Sequence, residues 1–211
     1  SLSVLFFTLI LVFAWKATSA TAANASITIQ EINYEKSYIT IKGNASDSKI
    51  FFSDSKGKVW DEIPGTLDAD KEISMDISWI SASSNYTLKF KGNYSQDVVT
   101  VVIPKQLTTF KATYNRAKQT VNYVNQGTRT VQWRKKDSYI WNDVNNSTFA
   151  SVLEKLSSQG ATVCLRLAPV NGETKNNVFS VGQRPSKEVT ITIPKKADAP
   201  NITIDGSKFV I

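Results

Sequence analysis

The sequence predicts an all-β protein that contains two tandem antiparallel β-sandwiches. One observation is a repeat, because two alternating segments that end in Ile-Pro-Lys occur at residues 85–105 and again at residues 161–195. Another is that apolar residues recur at every second position in short runs, which is typical of strands with one buried face. Because most of these runs are separated by turns, an antiparallel sandwich is favoured over a parallel α/β sheet. We therefore predict a first module at residues 26–105 and a second module at residues 106–197.

The N-terminal segment, residues 1–25, is predicted to be a signal peptide with a signal helix. Residues 1–15 are almost wholly apolar, and small residues follow in two small-x-small motifs at residues 20–22 and 23–25. The apolar run is shorter than the ~20 residues that span a bilayer, so a membrane anchor is the less favoured alternative. We expect a secreted or cell-surface protein that touches the membrane only through this segment.

The first module is predicted to be a series of short strands. Gly, Asn, Asp and Ser residues bound each strand, and these residues favour turns. A final hairpin follows, with a turn that begins at Gly92. The alternating apolar residues before that hairpin are Ile39, Ile41, Ile50, Phe52, Ile73, Met75, Ile77 and Trp79.

The second module repeats this plan, with Trp133 at the place of Phe52 and Trp141 at the place of Trp60, and adds two segments of its own. Apolar residues at helical spacing predict a short helical turn near residues 147–157, capped by Asn146 or Ser147. These apolar residues are Phe149, Val152, Leu153 and Leu156.

The second difference is the loop of the final hairpin, residues 171–185, which is longer than its counterpart in the first module. Loops that grow between related modules are common places for binding. Residues 198–211 restart the pattern of residues 27–41, which predicts the start of a truncated third module.

The order of these segments resembles a fibronectin type III or related immunoglobulin-like module. The resemblance is carried by residues 50–60 (IFFSDSKGKVW), by the strand that ends at Trp79, and by residues 86–90 (YTLKF) with the loop that follows. Residues 165–172 (LRLAPVNG) are similar to the penultimate strand and loop of that family.

The chain departs from that family at three places. Ile41 and Tyr123 stand where the family has a core tryptophan, and Val163 stands where it has the corner tyrosine that Tyr86 supplies in the first module. Immunoglobulin-like is therefore the broader description. Tandem modules of this kind in bacterial surface proteins commonly act as spacers or adhesive stalks, and the resemblance implies such a non-enzymatic role.

Charge differs between the two modules. Residues 28–105 contain nine Lys and eleven acidic residues, a net charge of −2, whereas residues 106–200 contain fourteen Lys and Arg and six acidic residues, a net charge of +8. A positive exported module is expected to attract a polyanion, such as a cell-wall polymer, an acidic glycan or a host-surface ligand. A solvated basic surface is the simpler alternative, and no nucleic-acid-binding motif accompanies the charge. The candidate polyanion-binding residues are Arg129, Arg134, Lys135, Lys136, Lys175, Arg184 and Lys187.

Two tryptophans are candidates for stacking on sugars. Trp60 and Trp141 occupy matching positions, and an indole face packs well on the apolar face of a pyranose. Large rings are more often packed than presented to a ligand, so a core or sheet-face position is the favoured interpretation.

No residue set in the sequence specifies a reaction. Histidine, the commonest general base at neutral pH, is absent, and Cys164 is the single cysteine, expected on the outer face of its sheet. The acidic residues 68–76 lack the glycine and the closing glutamate of a calcium loop. We predict no catalytic residue, no metal and no cofactor. The predicted function is that of an exported spacer or adhesive stalk, and the alternative is an accessory carbohydrate-binding region of a larger secreted hydrolase.

Overall fold

The computed structural model describes residues 26–197, except residues 96 and 177, and the backbone of two short strands after residue 202. The predicted signal peptide lies outside the described residues. The described chain is mostly β, with antiparallel sheets and one helix, so the all-β prediction is confirmed. The helix is α1 (Asn146–Gln159). The strands are β1 (Thr28–Asn33), β2 (Tyr38–Lys42), β3 (Ile50–Ser53), β4 (Asp61–Glu62), β5 (Glu72–Asp76), β6 (Tyr86–Gly92), β7 (Val99–Ile103), β8 (Lys111–Asn115), β9 (Thr120–Val124), β10 (Val131–Lys135), β11 (Asn142–Asp143), β12 (Ala161–Leu167), β13 (Gly172–Lys175), β14 (Val178–Ser180), β15 (Val189–Ile193), β16 (Thr203–Asp205) and β17 (Lys208–Val210).

Two antiparallel sheets organise the N-terminal half of the described chain, residues 26–105, and β13 and β14 of the C-terminal half extend one of them. One has the strand order β14-β13-β1-β2-β5 and the other has the order β4-β3-β6-β7. Successive side chains of a strand point to opposite faces, and both sheets contribute to one cluster of buried apolar residues. Ile39 and Ile41 of β2 and Leu88 and Phe90 of β6 are fully buried, as their alternation predicts.

The C-terminal half, residues 106–197, combines a four-stranded sheet with a strand pair and a helix. The sheet has the order β11-β10-β12-β15, and β8 pairs with β9. A second buried cluster joins Phe149 and Leu153 of α1 to Val163 and Leu165 of β12. Burial of each large apolar side chain contributes about 1.5–3 kcal/mol, so this contact holds the helix against the sheet.

Helix α1 is longer than the sequence predicted. It has 14 residues rather than a turn or two, and its N-cap is Asn145 instead of Asn146 or Ser147. The Oδ1 atom of Asn145 accepts a hydrogen bond from the backbone N of Ser147 at 3.1 Å, which satisfies a free N–H group of the first turn. Gly160 ends the helix with a φ of 76°, a conformation that costs glycine little.

The strand predicted to reach Trp79 ends earlier, at Asp76. The Oδ1 atom of Asp76 accepts a hydrogen bond from the backbone N of Ser78 at 2.8 Å, and such a local bond competes with the ladder bonds of a sheet. Trp79 therefore lies in a turn, where its indole contacts the ring of Tyr86 edge to face.

The repeated final hairpin is present in both halves, because β6 pairs with β7 and β12 pairs with β15. The registers of the preceding strand pairs also correspond. Lys91 of β6 lies opposite Phe51 of β3, and Arg166 of β12 lies opposite Gln132 of β10. Lys91 and Arg166 therefore occupy equivalent positions in the two halves.

The segment predicted to be a long loop, residues 171–185, contains the strands β13 and β14. β13 pairs with β1 of the other half, with Glu173 opposite Glu31 and Gly172 opposite Ile32. We call β13 and β14 the crossover hairpin, because they leave the C-terminal half and extend a sheet of the N-terminal half.

The C-terminal residues that the structure describes form one short strand pair. β16 and β17 pair with each other within the predicted third module. Across the described residues, no helix combines the length and the apolar character needed to cross a membrane.

Candidate functional site

The crossover hairpin is closed at its base by a tight approach of two backbone segments. Val170 and Gln183 exchange two backbone hydrogen bonds, of 2.9 and 2.7 Å. Gly182 has a φ of 70°, and a Cβ at this position would overlap the carbonyl oxygen of Val170. A Cβ on Gly172 would lie 2.7 Å from the carbonyl oxygen of Val181. Only glycine at both positions allows the hairpin to leave its own half in this way.

Side chains attach the crossover hairpin to the N-terminal half. Phe179 and Val181 pack against the buried cluster of that half. The hydroxyl of Tyr34 donates to the carbonyl oxygen of Val181 at 2.7 Å. The hydroxyl of Thr174 donates to the carbonyl oxygen of Ile29 at 2.6 Å. The two halves are thus joined by apolar packing, by a shared sheet and by hydrogen bonds.

Tyr34 lies at the centre of this contact. Burial raises the pKa of its hydroxyl to about 12, and the nearby charge of Arg184 acts in the opposite direction. The hydroxyl is therefore protonated at neutral pH and remains a donor to the hairpin. The backbone N of Tyr34 also donates to Oδ1 of Asn171, at 3.2 Å.

Arg166 forms a second link between the halves. Its Nη2 atom lies 2.7 and 2.9 Å from the two carboxylate oxygens of Glu35, and its Nε atom lies 2.9 Å from Oε1 of Gln132. The guanidinium also stacks on the ring of Trp141, at 4.2 Å from the ring centre. Hydrogen bonds between ionised partners are about twice as strong as neutral ones, and the cation–π contact fixes the side chain further.

Three of the seven predicted polyanion-binding residues have guanidinium groups that bind within the protein. Arg129 donates to the carbonyl oxygens of Ala168 and Arg184, and Arg134 forms an ion pair with Glu188 at 2.9 Å. Arg184 donates to a carbonyl oxygen of the N-terminal half at 3.3 Å. Burial lowers the pKa of Arg129 and of Arg184, because desolvation disfavours the charged form.

The four predicted lysines lie at three separate places. Lys175 is on β13 and forms an ion pair with Glu173 at 2.6 Å. Lys187 is exposed after the crossover hairpin. Lys135 and Lys136 are exposed at the end of β10, the opposite end of that strand from Arg129. The structure therefore does not gather the seven residues into one surface.

Lys135 and Lys136 do share a groove with Lys195 and Gly160, of about 690 Å³, at the C-terminal end of α1. A helix C-terminus carries a partial negative charge, which lysines stabilise and which opposes a bound anion. Part of this positive charge is thus compensated by the helix.

Trp60 and Trp141 belong to neither buried cluster, so both lie on sheet faces rather than in a core. The guanidinium groups of Arg166 and Arg134 lie 4.2 and 5.0 Å from the ring centre of Trp141. One cation also lies over the ring of Trp60, because the ammonium of Lys91 is 4.3 Å from the ring centre.

A buried carboxylate that sequence reasoning missed lies next to Gly92, at the end of β6. Asp47 is fully buried, and its oxygens accept hydrogen bonds from the backbone N of Asn44 at 3.0 Å and of Tyr94 at 2.9 Å. Gly92 leaves the space for this carboxylate, because a Cβ there would overlap it. The glycines at the ends of β2 and β6 were the available signal. Asp47 thereby fixes the loop that carries Tyr94.

The remaining groups to place are the single cysteine and the possible metal ligands. Cys164 points away from the buried cluster but is itself buried, with its Sγ atom 3.8 Å from the hydroxyl of Thr190. Among the residues that the structure describes, no three His, Cys, Asp or Glu side chains are grouped as metal ligands.

No family model matches the sequence of this chain, and no curated protein matches it significantly.

Proposed function

We propose that the protein is an exported, non-enzymatic spacer or adhesive stalk made of two tandem immunoglobulin-like or fibronectin type III-like sandwiches. In the N-terminal half, two antiparallel sheets share one core, which is the arrangement of such modules. In the C-terminal half, α1 takes the place of the strand that corresponds to β5. The lack of histidine in the chain supports a role without acid–base chemistry.

The pairing of β13 with β1 carries this proposal. A spacer has to hold a fixed distance, and modules joined by a flexible linker do so poorly. Here a strand of one half continues the sheet of the other, and the ion pair of Arg166 with Glu35 lies beside it. Relative motion of the two halves would break both contacts, so the pair of modules is expected to behave as one stiff unit.

Two measurements test the proposal. An antibody raised against residues 26–197 should label intact cells, and labelling only after permeabilisation would contradict export. Spin labels on Lys56→Cys and Lys155→Cys, which are exposed in different halves, should give one narrow distance in pulsed electron resonance. A broad distribution would contradict the stiff spacer.

A second candidate function is attraction of an anionic wall polymer, favoured by the groove of Lys135 and Lys136. Binding of purified teichoic acid should weaken steeply with salt, as expected for surface charges. The double variant Lys135→Gln, Lys136→Gln should lose this binding, whereas Lys56→Gln in the N-terminal half should retain it. Equal binding by the unchanged protein, the double variant and Lys56→Gln would exclude this groove as the binding site.

A further inference from the structure

The outer face of the sheet β4-β3-β6-β7 contains an open groove, which we call the Trp60 groove. Phe51, Trp60, Lys91, Tyr94 and Val98 line it, and its volume is about 650 Å³. Binding sites for small molecules have volumes of roughly 300–1,000 Å³, and the volume of this groove falls within that range.

The lining of the groove is aromatic and accessible. Tyr94 is 64% exposed and Val98 is 47% exposed, while Phe51 and Trp60 are half-buried. Neighbouring apolar side chains on a protein surface commonly mark a binding site. Rings with a polar edge, such as Trp and Tyr, suit a ligand that has both apolar faces and hydroxyl groups.

The groove is also held in place from below. The carboxylate of Asp47 accepts the backbone N–H of Tyr94, so the loop that presents this ring is anchored to a buried group. On the adjoining strand, Glu62 is already paired with Lys49 at 2.8 Å. Among the described residues that line the groove, Lys91 is the charged one.

The equivalent sheet face of the C-terminal half has a cation at the position of Lys91, and this cation binds a carboxylate. Arg166 stands at the position of Lys91, stacks on Trp141 and receives the carboxylate of Glu35 from the other half. Lys91 stacks on Trp60 in the same way, but no carboxylate of the described residues is paired with it. In the C-terminal half the cation beside the tryptophan is thus paired with a carboxylate, whereas in the N-terminal half Lys91 can pair with the carboxylate of a ligand.

We propose that the Trp60 groove binds an acidic oligosaccharide of hexuronate units. A pyranose ring packs on the exposed parts of Trp60 and Tyr94, and its carboxylate pairs with the ammonium of Lys91. This role goes beyond that of a spacer, because it would give the stalk a ligand on its N-terminal half. The charge of Lys91 is the reason to favour an acidic sugar over a neutral one.

Isothermal titration of the purified protein with hexagalacturonate, and with the neutral cellohexaose at the same length, tests the proposal. We expect the acidic sugar to bind and the neutral one to bind at least about ten-fold more weakly, a difference of about 1.4 kcal/mol. Trp60→Ala and Lys91→Met should each weaken binding of hexagalacturonate by about ten-fold or more. Lys91→Met keeps an unbranched stem on the indole, so it removes charge with little loss of packing.

Two variants serve as matched controls. Tyr139→Ala removes an aromatic ring that is 96% exposed in the C-terminal half, and Lys136→Met removes a charge there. Both should bind as the unchanged protein does, and circular dichroism should show that every variant is folded. Trp60→Phe, which keeps a ring, should bind more tightly than Trp60→Ala and so guards against a folding defect.

Three results would overturn the proposal. They are the absence of any binding of hexagalacturonate, equal binding of the neutral sugar, and full binding by both Trp60→Ala and Lys91→Met. Loss of binding in Lys136→Met alone would place the site in the groove of the C-terminal half. None of these results bears on the spacer, which depends on the crossover hairpin.

Discussion

The change Gly182→Ala should release the crossover hairpin, and Gly127→Ala is its matched control. Both glycines have a left-handed backbone, with φ of 70° and 61°. A Cβ at Gly182 would overlap the carbonyl oxygen of Val170, whereas a Cβ at Gly127 would have no atom within 4 Å. Each change costs about 1–2 kcal/mol of backbone strain, so the comparison isolates the overlap at the hairpin base.

The energy at stake follows from the contacts that the hairpin makes. The hydrogen bonds from Tyr34 to Val181 and from Thr174 to Ile29 are each worth about 1 kcal/mol. Partial burial of Phe179 adds about 1–2 kcal/mol. Release of the hairpin should therefore destabilise the N-terminal half by about 3–4 kcal/mol, a large part of the 5–15 kcal/mol that typically stabilises a domain.

Urea unfolding and the spin-label distance between the halves measure this effect. The unchanged protein and Gly127→Ala should unfold in one transition and give a narrow distance distribution. Gly182→Ala should unfold in two transitions, with the N-terminal half first, and give a broad distribution. If Gly182→Ala lowers the free energy of unfolding no more than Gly127→Ala does and keeps the narrow distance, the hairpin does not couple the two halves.

Three further predictions concern buried and interfacial groups. Gly92→Ala should displace the Asp47 carboxylate and lower the free energy of unfolding by about 2–3 kcal/mol, measured in urea. Glu35→Gln should cost about 1 kcal/mol or less, because Glu35 is half-exposed, and a double-mutant cycle with Arg166→Gln should show the same coupling. Because the pKa of the Tyr34 hydroxyl is raised to about 12, this group contributes its full stabilisation below pH 10 and loses it as the pH rises toward 12. In Tyr34→Phe, the urea midpoint of unfolding should therefore fall less steeply over this pH range.

The strand pattern could be predicted from sequence because the relevant signal is local. Ile39 and Ile41, or Leu88 and Phe90, alternate with polar residues, and burial of one face is enough to fix which residues point inward. The final hairpins were found for the same reason. The cap of α1 was predicted one or two residues too late, because Asn145, Asn146 and Ser147 are all of residue types that cap helices well.

The crossover hairpin could not be predicted in this way. β13 has the sequence GETK, without alternating apolar residues, and its partner β1 is more than a hundred residues away. The hydrogen bonds between strands are formed by backbone groups, which are the same in nearly every residue type. The sequence of the segment therefore does not indicate which strand it pairs with. The prediction of a loop was therefore wrong for residues 172–175 and 178–180, which form strands and extend a sheet of the other half of the chain.

The use of arginine was the sequence signal for this interface. All nine cations of residues 28–105 are Lys, whereas residues 106–200 contain all five Arg of the chain. The planar, weakly hydrated guanidinium suits buried and interfacial bonds better than an ammonium does. Arg129, Arg166 and Arg184 bind the hairpin base or the other half, and Arg134 stacks on the tryptophan that Arg166 covers. Of the seven residues that suggested a polyanion site, Arg184 therefore bonds to the other half, and Arg129 and Arg134 bond within their own half. Lys135, Lys136 and Lys187 remain exposed, so the side chains of these lysines can meet an outside ligand.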